Sequence, residues 1–232
     1  MRIDNKEITN QNTIANIFNS YFLSIAESLN SGNKTHTNTR IKDTTPISYL
    51  INSFHRPFPK MSWHYVSTHE IEKIIKSWKF KNTGGYDEIS TRIIKLSAPF
   101  IISPLTYICN TILNSGILPD RLKYAIIKPI FKKGADQEIM NYRPISLLTS
   151  FSKVIEKLIY VRLLDHINTN CILVNEEYGF RTQSSTEQAT FSLINNVLTA
   201  MNNNLKTGGI FFDLQKAFDC MNHKILVNEL EF

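Results

Sequence analysis

Two aspartates near the end of the sequence are the first candidates for chemistry. Asp213 directly follows the apolar run Ile210-Phe211-Phe212, which comes after Gly208-Gly209 and is typical of a short buried strand. A carboxylate at the end of such a strand is unfavourable unless it is paired, neutralised or bound to a metal ion. A helix cap or a surface ion pair is the ordinary explanation of one such aspartate, and metal binding is the alternative. Asp219 lies in the segment after the strand, and we expect it to be a structural cap or ion-pair partner.

A second stretch, in the middle of the sequence, concentrates basic residues. Residues 123–131 are rich in isoleucine, which predicts a strand, and Lys132-Lys133-Gly134 predicts a turn after it. Pro144 restricts Arg143 to an extended conformation, so a second strand is predicted over residues 143–148. We therefore expect a hairpin with basic side chains near its tip. Guanidinium and ammonium groups suit phosphate contacts, although a solvated surface charge is the ordinary role of a single lysine.

The stretch from Phe212 to Asp219 resembles the first palm motif of reverse transcriptases, and the LINE-type (non-LTR) retrotransposon group is the most similar. Four preceding stretches resemble the finger motifs of that family, in the family's order and at about its spacing: Gly84 to Ser90, Ile127 to Gly134, Asn141 to Leu148, and Tyr178 to Arg181 with Ser184-Ser185-Thr186 after it. One such match would be weak evidence. Five in order, from about Glu70 to Phe232, indicate the N-terminal part of such an enzyme.

The resemblance implies an RNA-directed DNA polymerase, a nucleotidyltransferase that uses an RNA template, a DNA primer and dNTPs. Its reaction uses two divalent metal ions, Mg²⁺ or Mn²⁺, about 3.5–4 Å apart, which hold the attacking and leaving oxygens. Asp213 would be the catalytic carboxylate that binds them, and the backbone carbonyl of Leu214 would be a second metal contact. Hard oxygen donors on a rigid strand suit these ions.

The same motif implies nucleotide-binding roles for three residues. Lys216 and Ala217 would begin the helix after the strand, where their backbone amides would meet the triphosphate. The ring of Phe218 would lie beneath the sugar and collide with a 2′-hydroxyl, which selects dNTPs over rNTPs. A core phenylalanine at helical spacing is the alternative for Phe218. Phe211 and Phe212 flank the strand, and we expect them in the core.

The finger motifs imply two further groups of contacts. Lys132 and Arg143 match nucleotide-binding positions, and Arg143 is the stronger candidate because Pro144 fixes its surroundings. The template-binding candidates are Lys128, Lys133, Gly179 and Arg181. The acidic pair Glu176-Glu177 departs from the glutamine that many relatives have near this position, which weakens the case for a template contact there.

The expected fold is α+β, with helix-rich fingers, a short β-hairpin and the first strand of a palm, which together would form a truncated right-hand polymerase. Residues 1–30 are predicted as an N-terminal helical arm, 31–66 as a linker, 67–207 as the fingers region and 208–232 as the start of the palm. The first helix, over about residues 12–29, has one apolar face. It is either an outlying arm or docks on the main body.

Local signals place the remaining helices. Capping boxes at Ser67 with Glu70 and at Ser184 with Glu187 each predict the start of a helix. Two short helices are expected between them, over residues 91–98 and from Ser103-Pro104 to Gly116, and a longer one begins near Ser152.

Charge and composition limit the partners. The chain has 26 Lys and Arg against 20 Asp and Glu, and its net charge of +6 is compatible with a polyanion partner without proving one. No apolar run approaches a membrane span and the N-terminus lacks the apolar core of a signal peptide, so no membrane partner is expected. Three scattered cysteines, Cys109, Cys171 and Cys220, suggest a reducing compartment, which predicts residence in the nucleus or cytoplasm.

The family's second palm motif, an aromatic residue followed by two aspartates, has no counterpart, because the sequence contains no Asp-Asp pair. The rest of the palm and the thumb are also missing from the pattern. We therefore expect a fragment that is inactive alone, since Asp213 cannot form a two-metal site by itself. The alternative is a non-catalytic remnant that binds RNA or a protein partner.

Overall fold

The computed structural model describes residues 2–3, 6–32, 48, 51–52, 59–214, 216–218 and 221–231. Within these residues the fold is α+β. The helices are α1 (Gln11–Gly32), α2 (Thr68–Ser77), α3 (Thr91–Ser115), α4 (Ser150–Thr169), α5 (Thr186–Asn202) and α6 (His223–Leu230). The strands are β1 (Arg2–Ile3), β2 (Lys6–Glu7), β3 (Ala125–Phe131) and β4 (Tyr142–Leu148), which form the antiparallel pairs β1–β2 and β3–β4.

The chain divides into two compact units. The first unit comprises Met1–Thr45 and Lys60–Leu163, and the second comprises Pro46–Pro59 and Leu164–Phe232. The β3–β4 hairpin and helices α1 to α3 belong to the first unit, whereas α5, α6 and Asp213 belong to the second. The first unit has 21 Lys and Arg against 12 Asp and Glu, whereas the second has 5 against 8, so the basic excess lies entirely in the first unit.

The core of the first unit lies between α2, α3 and the first half of α4. Each helix contributes apolar side chains at three- and four-residue steps, as an amphipathic helix requires. The buried members are Ile71, Ile74 and Ile75 from α2, Ile94, Leu105, Cys109 and Ile112 from α3, and Val154, Ile155 and Leu158 from α4. The removal of these apolar side chains from water is the main contribution to the stability of the unit.

Helix α3 is continuous through Pro99 and Pro104, so the prediction of two separate helices here was wrong. Each proline removes one backbone hydrogen bond and costs about 3 kcal/mol inside a helix. The helix nevertheless continues because Ile94 lies before both prolines and Leu105 after them, and both side chains are buried in the same core. Gly116 ends the helix as predicted, in the left-handed region at φ 68°.

Helix α3 is also the one helix among the described residues that is long and apolar enough to cross a membrane. The criterion rests on length and composition alone, with a mean hydropathy of 1.4 over an 18-residue window. The expectation that no apolar stretch approaches this length was therefore wrong. Core helices satisfy the same criterion, and α3 contributes four side chains to the core of the first unit.

The start of α5 lies one residue beyond its prediction. Ser185, not Ser184, is the N-cap, and its hydroxyl accepts a hydrogen bond from the Gln188 backbone N–H. The Gln188 side chain in turn accepts from the Ser185 N–H at 3.0 Å, which completes the capping box. The prediction with Glu187 was wrong because two capping boxes are possible in the sequence. Ser184 would pair with Glu187, and Ser185 pairs with Gln188.

Candidate functional site

The β3–β4 hairpin unites two motifs that are separate in the sequence. Ile130 pairs with Arg143 and Lys128 pairs with Ile145 in an antiparallel register. The predicted hairpin is therefore confirmed, with β4 beginning at Tyr142. This register determines which basic side chains share a face, because successive side chains on a strand alternate between the two faces.

One face of the hairpin is basic and apolar and lies open to solvent. Lys128 and Arg143 share this face as diagonal neighbours, since the residues directly opposite them are Ile145 and Ile130. Both charged side chains are exposed, and Ile130 and Ile145 remain 43% exposed. Two cations on a partly apolar, open surface can contact phosphate groups of a ligand that lies across the strands.

On the opposite face, helix α1 contacts the tip of the hairpin, although Phe131 there remains 43% exposed. Tyr142 pairs with Phe131 across the strands, and their ring centroids are 5.6 Å apart. The ring of Phe18 from α1 meets Tyr142 edge-on at 5.0 Å. Of the two alternatives for the first helix, the contact favours docking on the hairpin. Phe18 was not singled out for any role, and its place on the apolar face of the helix was the only signal of its burial.

Asn141 fixes the loop between the two strands. Its side-chain amide donates to the Ala135 carbonyl at 2.9 Å, and its backbone carbonyl accepts from the Lys132 N–H at 2.8 Å. Gly134 adopts φ 97°, and a Cβ at this position would lie 2.6 Å from the Asn141 amide nitrogen. The loop therefore requires glycine here. Lys132 and Lys133 are exposed on this loop, as the sequence predicted for a basic tip.

The base of the hairpin rests against the Gly84 to Ser90 segment. A Cβ on Gly85 would lie 2.7 Å from the Thr149 backbone nitrogen, so the two backbones approach as closely as only glycine allows. The Ser150 hydroxyl donates to the Ile89 carbonyl at 2.9 Å, which joins this segment to the start of α4. The sequence singled out this segment only by its resemblance to the family and did not indicate the close contact, because the partner lies more than 60 residues away.

Asp213 and Leu214 lie in the second unit on a segment without regular secondary structure. The expectation of a buried strand with core phenylalanines was wrong, since Phe211 and Phe212 are each 87% exposed. A strand needs a partner for its backbone hydrogen bonds. The sheets among the described residues are the β1–β2 and β3–β4 pairs, and neither includes this segment. The carboxylate of Asp213 is therefore exposed.

Lys216, Ala217 and Phe218 form a turn, not the start of a helix. The next helix, α6, begins at His223, where the Asn222 side chain accepts from the backbone N–H groups of Lys224 and Ile225. The prediction that Lys216 and Ala217 begin a helix was therefore wrong. The strong N-cap at Asn222 places the helix start farther along the chain. Asp219 lies outside the described residues.

Phe218 is 77% exposed, so the alternative of a core phenylalanine was wrong. Its ring meets Phe180 edge-on, with the centroids 6.3 Å apart. Phe180 is itself 96% exposed and has φ 55°, a backbone region that bulky residues rarely adopt. The two rings form an exposed aromatic pair within the second unit. Its position beneath a sugar remains a prediction.

Gly179 and Arg181 are held by contacts within their own loop. The Gly179 N–H donates to the Glu177 carboxylate at 3.0 Å, and the Arg181 guanidinium donates to the Val174 carbonyl at 3.0 Å. Glu177, which departs from the family pattern, thus stabilises the turn at Gly179. Template binding by Gly179 and Arg181 stays a prediction.

The structure groups the candidate residues by unit. Lys128, Lys132, Lys133 and Arg143 share the hairpin of the first unit, and the remaining candidates lie in the second. In the described part of the chain, no three His, Cys, Asp or Glu residues come together as a metal site. Asp213 and the Leu214 carbonyl are oxygen donors of the type that Mg²⁺ prefers, but these two donors alone do not complete a site for two ions.

The chain is similar to known proteins over the part that contains most of the candidate residues. Residues 130–232 match the family described as reverse transcriptase (RNA-dependent DNA polymerase). The chain is 34% identical over 167 residues to the probable RNA-directed DNA polymerase from transposon BS of Drosophila melanogaster. That alignment covers 72% of this chain and 18% of the relative.

Two further fruit-fly proteins are similar over much of the chain. The RNA-directed DNA polymerase from mobile element jockey is 32% identical over 176 residues, which cover 75% of this chain and 19% of the relative. The probable RNA-directed DNA polymerase from transposon X-element is 31% identical over 155 residues, which cover 66% of this chain and 17% of the relative. The chain thus spans less than a fifth of the length of these curated relatives.

Proposed function

Since this chain belongs to the reverse transcriptase family, we propose that it forms the fingers and the beginning of the palm of an RNA-directed DNA polymerase from a non-LTR element. The observation that supports this most directly is the register of the β3–β4 hairpin. It combines the two finger motifs into one surface on which Lys128 and Arg143 are neighbours. A right-hand polymerase architecture is part of the proposal.

The hairpin would bind the polyanionic ligands of the reaction. Arg143 offers a planar guanidinium for bidentate contact with a nucleotide phosphate, and Lys132 supplies a point charge on the adjoining loop. Lys128 and Lys133 would contact the template backbone. None of these side chains is buried, so their charges would be neutralised by ligand phosphates and not by the protein itself.

The second unit would contribute the first palm residues. The Asp213 carboxylate and the Leu214 carbonyl would be part of a site for Mg²⁺ or Mn²⁺, which in the complete enzyme activates the primer hydroxyl and stabilises the leaving group. The exposed ring of Phe218 would exclude a 2′-hydroxyl, and Gly179 with Arg181 would lie along the template. We propose that this polypeptide alone does not polymerise, because its sequence contains no Asp-Asp pair.

A second candidate function is RNA binding without catalysis. The exposed basic hairpin favours it, because Lys128 and Arg143 would bind RNA whether or not a catalytic site is assembled. The buried thiol of Cys109 and the exposed thiol of Cys171 are unpaired and suit a reducing compartment, so we propose residence in the nucleus or cytoplasm for either function.

The proposed hairpin contact is tested by RNA binding at several salt concentrations. The Lys132→Ala/Lys133→Ala variant should bind a fluorescent single-stranded RNA more weakly, and its salt slope should be smaller by about 0.7 for each lost phosphate contact. The matched control is Lys73→Ala/Lys79→Ala, which removes two exposed charges from the same unit outside the hairpin. Equal losses in both variants would show general electrostatic attraction and would refute a specific contact at the hairpin.

A further inference from the structure

We infer that Phe18 is a positioning residue: it docks helix α1 on the β3–β4 hairpin and thereby holds loop 132–141 in the arrangement in which its lysines bind nucleic acid. The nucleic-acid part of this inference rests on the proposed function. Helix α1 ends at Gly32, about a hundred residues before the part of the chain that matches the family. Neither the match nor the finger motifs assign a role to this helix.

Two side chains of α1 are buried among those that the structure describes, Phe18 at 9% and Ile25 at 3% exposure, and the ring of Phe18 contacts the hairpin. Asn19 and Ser20 next to Phe18 are exposed, and so is Leu23 five residues after it, at 73%. The Phe18 ring lies edge-on to Tyr142 at 5.0 Å with an interplanar angle of 70°, a favourable geometry for an aromatic pair. Phe22 stacks on Phe18 at 5.6 Å and extends the contact along the helix.

Tyr142 transmits this contact to the loop in two ways. Its ring packs against Phe131, its partner across the strands, at the point where the loop begins. Its hydroxyl donates to the Asp136 carbonyl at 2.8 Å, inside the loop. Tyr142 is also bonded along the chain to Asn141 and Arg143, of which the first fixes the loop and the second is a candidate phosphate ligand.

The contacts of Tyr142 affect nucleic-acid binding because a mobile loop loses conformational entropy when it binds a ligand. On the face with Lys128 and Arg143 both charged side chains are exposed, and Ile130 and Ile145 are 43% exposed, so this face packs little against the rest of the unit. The aromatic contacts of Tyr142 with Phe18 and Phe131 therefore add to the hydrogen bonds of Asn141 in ordering the tip. A loop that is already ordered loses less entropy on binding, and its lysines contact phosphates at lower cost.

The test combines hydrogen exchange with RNA binding, using the full chain. Phe18→Ala should speed amide exchange over residues 132–141, lower the affinity for a fluorescent single-stranded RNA about fivefold, and reduce the magnitude of its salt slope. Phe18→Leu keeps apolar bulk and should recover most of both properties if Phe18→Ala disturbs the helix. Leu23→Ala is the matched control, because it removes an exposed side chain from the same helix.

Unchanged loop exchange in Phe18→Ala would overturn the proposal, whatever the RNA affinity. Faster exchange with unchanged affinity and salt slope would also overturn it, because Phe18 would then be only a packing residue. If the unmodified chain shows no salt-dependent RNA binding, the proposed function fails. The loop exchange of the variants then decides separately whether Phe18 holds the loop.

Discussion

Arg162 on α4 and Glu70 on α2 form a bidentate ion pair at the edge of the core. The two guanidinium nitrogens donate to the two carboxylate oxygens at 2.8 and 3.1 Å. Arg162 also donates to the carbonyls of Leu158 and His64, at 3.3 and 3.2 Å. The Glu70 side chain was predicted to complete a capping box with Ser67, but Ser67 caps α2 alone and the carboxylate serves the ion pair instead.

Loss of one partner of this pair should destabilise the chain. Arg162 is only 10% exposed, so Glu70→Gln leaves a largely buried charge without its counter-ion and should lower the free energy of unfolding by about 3 kcal/mol. Arg162→Met should lower the free energy of unfolding less in the Glu70→Gln background than in the unmodified chain. Urea denaturation of the single and double variants measures both effects.

A surface ion pair on the same helix provides the control. Glu72 pairs with Lys76 at 2.6 Å, and Lys76 lowers the pKa of the Glu72 carboxyl through their hydrogen bond. Both side chains are substantially exposed, so Glu72→Gln should change the free energy of unfolding little. Similar losses for Glu70→Gln and Glu72→Gln would contradict a special role for the Glu70–Arg162 pair.

Gly85 should not tolerate a side chain. A methyl group at this position would lie 2.7 Å from the backbone nitrogen of Thr149, so Gly85→Ala should lower the free energy of unfolding by about 1–3 kcal/mol. Gly208→Ala is the control, because no atom outside the immediate chain lies within 4 Å of its new methyl. Thermal unfolding of both variants tests the contact. Equal midpoints would show that the Gly84 to Ser90 segment separates easily from Thr149 and the start of α4.

Cys109 should be unreactive in the folded chain and should make stability depend on alkaline pH. Burial raises the pKa of the Cys109 thiol to about 11. The folded state thus favours the neutral thiol, so its contribution to stability is present below the ordinary pKa near 9 and is lost as pH rises through 11. Unfolding in urea between pH 8 and 10.5 should show this decline, which Cys109→Ala should reduce.

The exposed Cys171 supplies the comparison for thiol chemistry. In a Cys220→Ser background, one thiol should react with a disulfide reagent under native conditions and the second only after unfolding. The native reaction should disappear in Cys171→Ser. Rapid native modification of both thiols would show that the helix pair around Cys109 opens readily.

Some local parts of the fold, such as the β3–β4 hairpin, could be predicted from the sequence, whereas the long-range contacts could not. The hairpin follows from Pro144, the isoleucine-rich strand and the Lys132–Gly134 turn, all within about 25 residues. The pairing of Glu70 with Arg162 joins residues 92 positions apart, and no local pattern indicates it. The capping-box pattern assigned the Glu70 carboxylate to the nearby Ser67, because that pattern considers only residues within one helical turn.

The segment at Asp213 shows that a local pattern can also predict a strand that does not form. Its apolar run after two glycines favours a strand, and the family match includes it, yet it has no partner strand among the described residues. A strand is a property of two neighbouring segments, so a pattern within one segment predicts a tendency and not the outcome. The identity of the candidate carboxylate could be read from the sequence, whereas its surroundings could not.

The last prediction concerns Asp213 and Phe218 in a chimera that continues this chain into the downstream part of the jockey relative. The parent chimera should extend a primer on an RNA template, and this chain alone should not. Asp213→Asn keeps the shape but removes the charge needed for the metal ions, so extension should fall by several orders of magnitude. Phe218→Ala should retain most dNTP incorporation and raise rNTP incorporation, since it removes only a ring that is already exposed. Steady-state incorporation of both nucleotide types decides between the roles: an active Asp213→Asn chimera would remove the proposed metal ligand, and unchanged selectivity in Phe218→Ala would leave its ring with no function beyond its contact with Phe180.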